Sequence, residues 1–314
     1  MAYHRAGKQP ALFALAALML VAAPGSAQPP QSVSSCTTLN KAGLYVLDAG
    51  SAPVSPSVPG DCFVITASKV VFDLNSAMLV GLGTGAGIHV MSSATDVLIE
   101  GHNSVISGFN EGIEIDGSKN IAENFTVTRN FDAGVLLNRV KQTKLNNFMA
   151  SYNGTDGVRI SKGSYNSIAG AANPGVDGSV TLEQNGRYGL WLFATSYNSI
   201  GGFTAENNAV AGVYLGCSTA FPSPCSKNST SNYNSIFDGD VIAVNGGSEP
   251  YGVAIDLGDG NNRVTNISSL GEDLAAVTDD LIDQNSDCGT NDWFANSISG
   301  QTSPSWDHTS GCMD

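Results

Sequence analysis

Charge is scarce in this chain, and basic charge is scarcest. Only 13% of the 314 residues are Asp, Glu, Lys or Arg, and 14 Lys and Arg stand against 28 Asp and Glu, a net of −14. Nucleic-acid binding needs a basic footprint, so that partner class is excluded. The same acidity disfavours polyanionic glycans unless a cation mediates. The apolar run Ala11–Ala23 has 13 residues, short of the ~20 that span a bilayer. It follows Arg5 and Lys8 and precedes Pro24-Gly25-Ser26-Ala27. That order reads as a secretory signal peptide over 1–27, with no membrane span in the mature chain. Without the leader, 12 basic residues face 28 acidic ones, a net of −16. No CxxC or Cys/His cluster is present, which removes the zinc-ribbon kind of metal site, and no metal ligand set is assigned. Six cysteines after an export signal are expected to form disulfides. Nearest-neighbour pairing gives Cys36–Cys62, Cys217–Cys225 and Cys288–Cys312, the first and last stapling the chain ends.

What the chain does have is one phrase repeated seven times. A glycine followed by alternating aliphatics reads GIHVM from Gly87, GIEID from Gly112, GVLLN from Gly134 and GVRIS from Gly157. It returns as GLWLF from Gly189, GVYLG from Gly212 and GVAID from Gly252, at steps of 25, 22, 23, 32, 23 and 40 residues. Such a period marks a repeat architecture. The first position after each glycine is Ile88, Ile113, Val135, Val158, Leu190, Val213 or Val253. The third is Val90, Ile115, Leu137, Ile160, Leu192, Leu215 or Ile255. Period-two burial predicts a strand with one face on a core. The residues between point outward: His89, Glu114, Leu136, Arg159, Trp191, Tyr214 and Ala254. A second outward column is Met91, Asp116, Asn138, Ser161, Phe193, Gly216 and Asp256.

A second phrase follows the first: Ser-Tyr-Asn-Ser-Ile at 164–168 and 196–200, and Asn-Tyr-Asn-Ser-Ile at 232–236. Four residues before the glycine stands Asn130, Asn153, Asn185 or Asn208. Identical asparagines stacked coil on coil predict an amide ladder with a structural role. The leucine-rich frame LxxLxLxxN and the calcium repeat GGxGxD are absent, and Gly258-Asp259-Gly260 reads as a turn. The fold class expected is an all-β, right-handed parallel β-helix with disulfide-stapled caps. Residues 28–86 form the lead-in and N-terminal cap, 87–270 the regular coils, and 271–314 the C-terminal cap. A solenoid leaves its terminal strands unpaired, so caps are required.

The chain resembles secreted bacterial right-handed parallel β-helix repeat proteins of the pectate lyase-like superfamily. The opening Cys36, Gly43-Leu44-Tyr45-Val46-Leu47, Asp61-Cys62-Phe63-Val64-Ile65 and Asp73-Leu74-Asn75 is similar to their N-terminal cap. The ending from Asp287-Cys288 through Asn291-Asp292-Trp293 and Asn296 to Cys312 is similar to their terminal cap. The superfamily holds pectate lyases, polygalacturonases and alginate lyases and epimerases, so the resemblance implies a role on glycans. The catalytic motifs do not carry over. Gly101-His102-Asn103 precedes Asp279-Asp280, the reverse of the polygalacturonase order, and Asp279-Asp280 reads as a solvated turn. Arg159-Ile160-Ser161-Lys162 is not RIK, and NTD and DPHD are absent.

Function is therefore sought on the outward face, with polysaccharide or oligosaccharide as the partner. Trp191, Phe193 and Tyr214 lie on adjacent coils ~4.8 Å apart. They form either a sugar platform or a patch covered by the insertion that begins at Cys217. Asn138 joins them as a substrate contact. Glu114 and Asp116, two residues apart on one strand, span ~6.6 Å. That suits inverting hydrolysis, which wants ~6.5–9.5 Å between carboxyls. The same pair could hold Ca²⁺, though no cofactor is required. In calcium-dependent lyases of this fold an arginine abstracts the proton, which gives Arg159 that role by resemblance. His89 is a further acid/base candidate. Two classes stay open: a secreted glycan-binding or glycan-processing protein, and a non-catalytic structural or adhesive surface protein.

Overall fold

The computed structural model describes residues 29–170, 179–218, 224–243, 251–271, 279–285 and 290–299. The signal-peptide segment and the Cys288–Cys312 pair lie outside the described residues. The described chain winds as a right-handed parallel β-helix, and every strand pairing runs parallel. One sheet has ten strands in chain order, from Thr37–Leu39 to Asp279–Asp283. The other has fourteen. Asp279 and Asp280 open the last strand of the ten, rather than forming a turn, because Tyr251 pairs with Asp279.

The ten-stranded sheet is built from the glycine phrase. All fourteen inward aliphatic positions are 0% exposed. Register is kept without slip: Val64, His89, Glu114, Leu136, Arg159, Trp191, Tyr214, Ala254 and Ile282 lie in one outward column. A one-residue slip would turn every inward aliphatic to water, so burial locks this register. The second sheet carries longer strands such as Ile121–Thr128 and Lys144–Ser151. These bend where Asn124 and Asn147 take positive φ, a conformation asparagine tolerates. Inside that sheet Phe125 stacks on Phe148 at 5.2 Å.

Why a glycine opens each phrase is a matter of clearance. A Cβ on Gly112, Gly134, Gly157 or Gly189 would lie 2.6–2.7 Å from the carbonyl oxygen of the next repeat glycine. It would also lie 2.8–3.0 Å from the amide nitrogen of Asn130, Asn153, Asn185 or Asn208. These asparagines form the expected ladder. The backbone N–H and Nδ2 of Asn130 both donate to Asn153 Oδ1 at 3.1 Å. Asn153 does the same to Asn185, and Asn185 to Asn208. The second Nδ2 proton of each goes to a core carbonyl, as from Asn153 to Val127. A second ladder, Asn166–Asn198–Asn234–Asn262–Asn291, runs along the opposite edge. Its first three members lie in the Tyr-Asn-Ser-Ile phrase.

Two expected disulfides are present, Cys36–Cys62 and Cys217–Cys225. The second abuts buried acids: Cys225 Sγ lies 3.8 Å from Oδ2 of both Asp256 and Asp259. Gly258-Asp259-Gly260 is thus a turn whose aspartate faces inward, where its Oδ1 accepts the Ser231 backbone N–H. Burial, with Asp256 and Asp283 nearby, raises the Asp259 carboxyl to about 8.

Two outcomes follow. Asn153→Ala strips the partner from two donors of Asn130 and removes the side-chain donor to the Val127 carbonyl, while Asn185 Oδ1 keeps the backbone N–H of residue 153. It should cost at least ~2 kcal/mol by urea denaturation, since each stranded buried polar group costs ~1–3. Asn146→Ala, at a half-buried outer position, should change stability far less; equal losses would refute a structural ladder. The Asp259 carboxyl binds its proton more tightly folded than unfolded, where its value is ~3.9. The stability from that proton is fully present below pH ~4 and is lost as pH rises through about 8. Each unit of the shift is worth ~1.4 kcal/mol. Urea titrations at pH 5 and 8.5 should show wild type losing stability relative to Asp259→Asn; parallel curves would contradict this.

Candidate functional site

The outward face of the ten-stranded sheet carries a polar strip that begins at the N-terminal coils. His89 stands on the strand Ala86–Val90, and Glu114 is its register partner on Glu111–Ile115. Asp116 follows immediately after that second strand. Asp61 precedes the strand Phe63–Ile65 one coil earlier, and its Oδ1 accepts the Ala86 N–H at 2.8 Å. These four meet around the imidazole. His89 Nδ1 lies 2.9 Å from Asp61 Oδ2. Nε2 lies 3.2 Å from Asp116 Oδ2 and 3.9 Å from Glu114 Oε2. Asn138, one coil on, donates Nδ2 to Asp116 Oδ1 at 2.9 Å. A shallow groove of about 240 Å³, bounded by Thr37, Pro56, Val58 and Val64, opens beside Asp61.

The electrostatics follow from this crowding. Burial pulls the His89 imidazole down, but hydrogen bonds to Asp61 and Asp116 and the charge of Glu114 outweigh it, and its pKa is raised. Glu114 is also raised, first by burial and then by Glu111 and Asp116, against the pull of His89. Burial raises Glu111 as well.

Two coils beyond Glu114 the strip changes character. Arg159, on Val158–Ser161, donates Nε to Asp156 Oδ2 at 2.7 Å and Nη2 to Asp132 Oδ1 at 2.6 Å. Arg187 grips the same buried Asp156 through Nε at 3.0 Å and Nη2 at 2.8 Å. Burial would lower the Arg159 pKa, but these carboxylates raise it. Burial would raise Asp132, but hydrogen bonds from Arg159 and Thr155 and the charges of Arg159 and Arg187 together outweigh it, and its pKa is lowered. An arginine pinned between two carboxylates and held charged is no proton-abstracting base. The role given to Arg159 by resemblance to the calcium-dependent lyases is therefore withdrawn.

The expected inverting pair also changes. Oxygens of Glu114 and Asp116 lie within 4.8 Å of each other and of a His89 nitrogen. That falls short of the ~6.5–9.5 Å that inversion wants. The cause is that Asp116 leaves the end of its strand and turns to the imidazole. Asn138 directs its Nδ2 to Asp116 Oδ1 and stays half-buried at the edge of the cluster.

The aromatic patch is covered, not a platform. Tyr214 is fully buried and Trp191 is 6% exposed. Trp191 Nε1 donates to the Gly216 carbonyl at 2.9 Å, and the Tyr214 hydroxyl donates to buried Asp256. Tyr188 packs 4.4 Å from Tyr214, and the Arg187 guanidinium lies 4.5 Å over Trp191. Phe193 stays half-buried with the Lys162 ammonium 5.9 Å above it. Exposed rings sit elsewhere, at a turn corner, where Tyr165, Tyr197 and Tyr233 stack at 5.0 Å. Each covers its neighbour's face, so they present edges. The repeated Ser-Tyr-Asn-Ser-Ile phrase was their signal.

Asp61, Asp132, Asp156, Arg187 and Tyr188 escaped the sequence reading. Asp132, Asp156, Arg187 and Tyr188 fall one or two residues before a repeat glycine, where the alternation gives no facing. Asp61 sits in the cap segment.

A family model described as periplasmic copper-binding protein (NosD) matches residues 60–174, less than half of the chain. No curated protein is matched by sequence. Among solved structures, the full-length tailspike protein 2 of an Escherichia coli O157:H7 bacteriophage is similar at 16% identity and TM-score 0.56, over 87% of this chain and 38% of that one. Its enzymatically active domain is similar at 14% identity and TM-score 0.57, over 87% and 42%. The chain thus spans under half of either tailspike's length. The A-module of the Azotobacter vinelandii mannuronan C-5 epimerase AlgE4 is similar at 13% identity and TM-score 0.48, over 76% and 65%. No described helix is long and apolar enough to cross a membrane. With the parallel ladders of both sheets, the two tailspike likenesses show the fold of the chain: a right-handed parallel β-helix.

Proposed function

We propose that this chain is exported and binds a neutral polysaccharide along the outward strip, with contacts centred on His89, Glu114 and Asp116. The observation that carries this is the fixed row of hydrogen-bonding groups on successive coils. Asp61, His89, Glu114, Asp116 and Asn138 occupy four neighbouring coils, each a strand spacing apart. An extended sugar chain lying along the axis would meet a donor or acceptor at every step. The strip carries six acids, Asp61, Glu111, Glu114, Asp116, Asp132 and Asp156, against Arg159, Arg187 and His89. That balance repels a polyuronate and favours a neutral glycan. The signal-peptide pattern and the disulfides support export. The superfamily resemblance supports a glycan role, as a weak warrant beside the site itself.

The description of the matching family brings in copper, and the matched residues 60–174 contain the whole His89 cluster. The described cysteines are all in disulfides, so no thiolate is offered to Cu(I), which prefers soft sulfur ligands. The nitrogen and oxygen donors present fit a divalent ion instead.

The test is a panel of neutral and acidic polysaccharides, read by calorimetric binding and by release of reducing or unsaturated ends. Wild type should bind at least one neutral glycan. The double variant Glu114→Gln/Asp116→Asn should bind it at least ~10-fold more weakly, about 1.4 kcal/mol, with its thermal midpoint kept. Binding to no neutral glycan, or undiminished binding by the variant, would overturn the proposal. Release of new ends by wild type would make the chain an enzyme acting on that glycan.

A further inference from the structure

We infer that His89 Nε2, Glu114 and Asp116 form a binding site for one divalent first-row transition-metal ion. The site stands or falls independently of glycan binding.

Three features of the geometry carry it. First, one atom from each residue already lies within 4.8 Å of the other two, all on the outward side of two adjacent coils. Donors ~2.0–2.2 Å from a shared ion sit ~3–3.5 Å apart. The imidazole and Asp116 are there already at 3.2 Å. Glu114, at 3.9 Å and half-buried, needs only a small side-chain rotation.

Second, the orienting groups that metal ligands require are in place. Asp61 Oδ2 takes the Nδ1 side of the imidazole at 2.9 Å and leaves Nε2 facing the carboxylates. Carboxylate–histidine–metal arrays use this arrangement to fix the ring and its tautomer. The second ligand is held in the same way, since Asp116 Oδ1 accepts the Asn138 amide while Oδ2 faces the imidazole. Ligands and orienting residues come from four consecutive coils, so the register of the solenoid builds the cluster.

Third, the donor set selects the ion. Calcium takes six to eight oxygen ligands in flexible geometry. One imidazole with two carboxylates is too few and too nitrogen-rich for that, whereas it suits zinc-like ions with open positions for water. The donor set therefore favours a transition ion over the Ca²⁺ that the acidic pair alone could hold. The three side chains are 15%, 22% and 24% exposed, which leaves a path for the ion to enter.

The experiment uses the mature protein stripped with a chelator and titrated with Zn²⁺ and, separately, Ca²⁺ by calorimetry. One Zn²⁺ per chain should bind, and Ca²⁺ should bind at least 10-fold more weakly. His89→Ala and Asp116→Asn should each weaken Zn²⁺ at least 10-fold. Asp61→Asn, which keeps the Oδ1 contact to Ala86, should weaken it ~10–100-fold, the usual effect of losing an orienting partner. His102→Ala should bind as wild type does, since the exposed His102 imidazole pairs with Asp73, away from the His89 cluster. Absence of Zn²⁺ binding, unchanged binding in His89→Ala, or tighter binding of Ca²⁺ would each overturn the site. Should His89→Ala not fold, Glu114→Gln and zinc-edge anomalous scattering from wild-type crystals decide in its place. Because the readout is bound ion, failure of every glycan to bind leaves this result untouched.

Discussion

From Gly87 to Gly189, each coil of this protein rests on the next through a contact that only glycine permits. The carbonyl of one repeat glycine approaches where the Cβ of the preceding one would be, 2.6–2.7 Å away for Gly87, Gly112, Gly134, Gly157 and Gly189. In four of those five places an asparagine amide fills the rest of the gap. Backbone and amide are thereby locked at one edge of the sheet, where the chain turns from one sheet into the other. A buried polar ladder of this kind is favourable only when every member is satisfied. Here Asn130, Asn153 and Asn185 each pass one proton to the next coil and another to the core, and Asn208 donates to the core carbonyl of Leu182.

Everything on the outer face inherits its position from that contact. Because no residue slips between the strands of the ten-stranded sheet, the side chain two residues after each glycine stands in one straight column. The chemistry of the column is then set by what evolution placed at each step. Near the N-terminal end it is imidazole and carboxylate, in the middle guanidinium clamped by acids, and toward the C-terminal end aromatic and sealed. The clamp separates the two ends electrostatically. Arg159 and Arg187 are fully occupied by Asp132 and Asp156, so neither cation neutralises the acids around His89. That leaves the His89 cluster an acidic basin with one nitrogen donor.

The inward columns, the coil period, the first asparagine ladder and two disulfides were legible in the sequence, because each depends on periodicity or on spacing along the chain. The outward columns were legible as faces but not as surfaces. Alternation told that Trp191 and Tyr214 point away from the core. It could not tell that an indole N–H and a phenol hydroxyl would find Gly216 and Asp256, which seals a second small core outside the sheet. Arg159 was placed on the right coil, two steps from Glu114, but its partners stand just before the repeat glycine, outside the alternating phrase. Asp61 was hidden for a related reason: it belongs to a coil that lacks the glycine phrase, yet it pairs in register with the coils that have it.

The central claim is that the glycine–asparagine contact sets the coil register and, through it, the cluster at His89. Native-state hydrogen exchange on Gly134→Ala tests this most directly. The added Cβ must push against the Gly157 carbonyl and the Asn153 amide. The account predicts a loss of amide protection on both flanking coils, Glu111–Ile115 and Val158–Ser161, together with a global loss of at least ~2 kcal/mol, as expected of overpacking. Protection and stability equal to wild type would show that the coils do not depend on this contact, and would contradict the account.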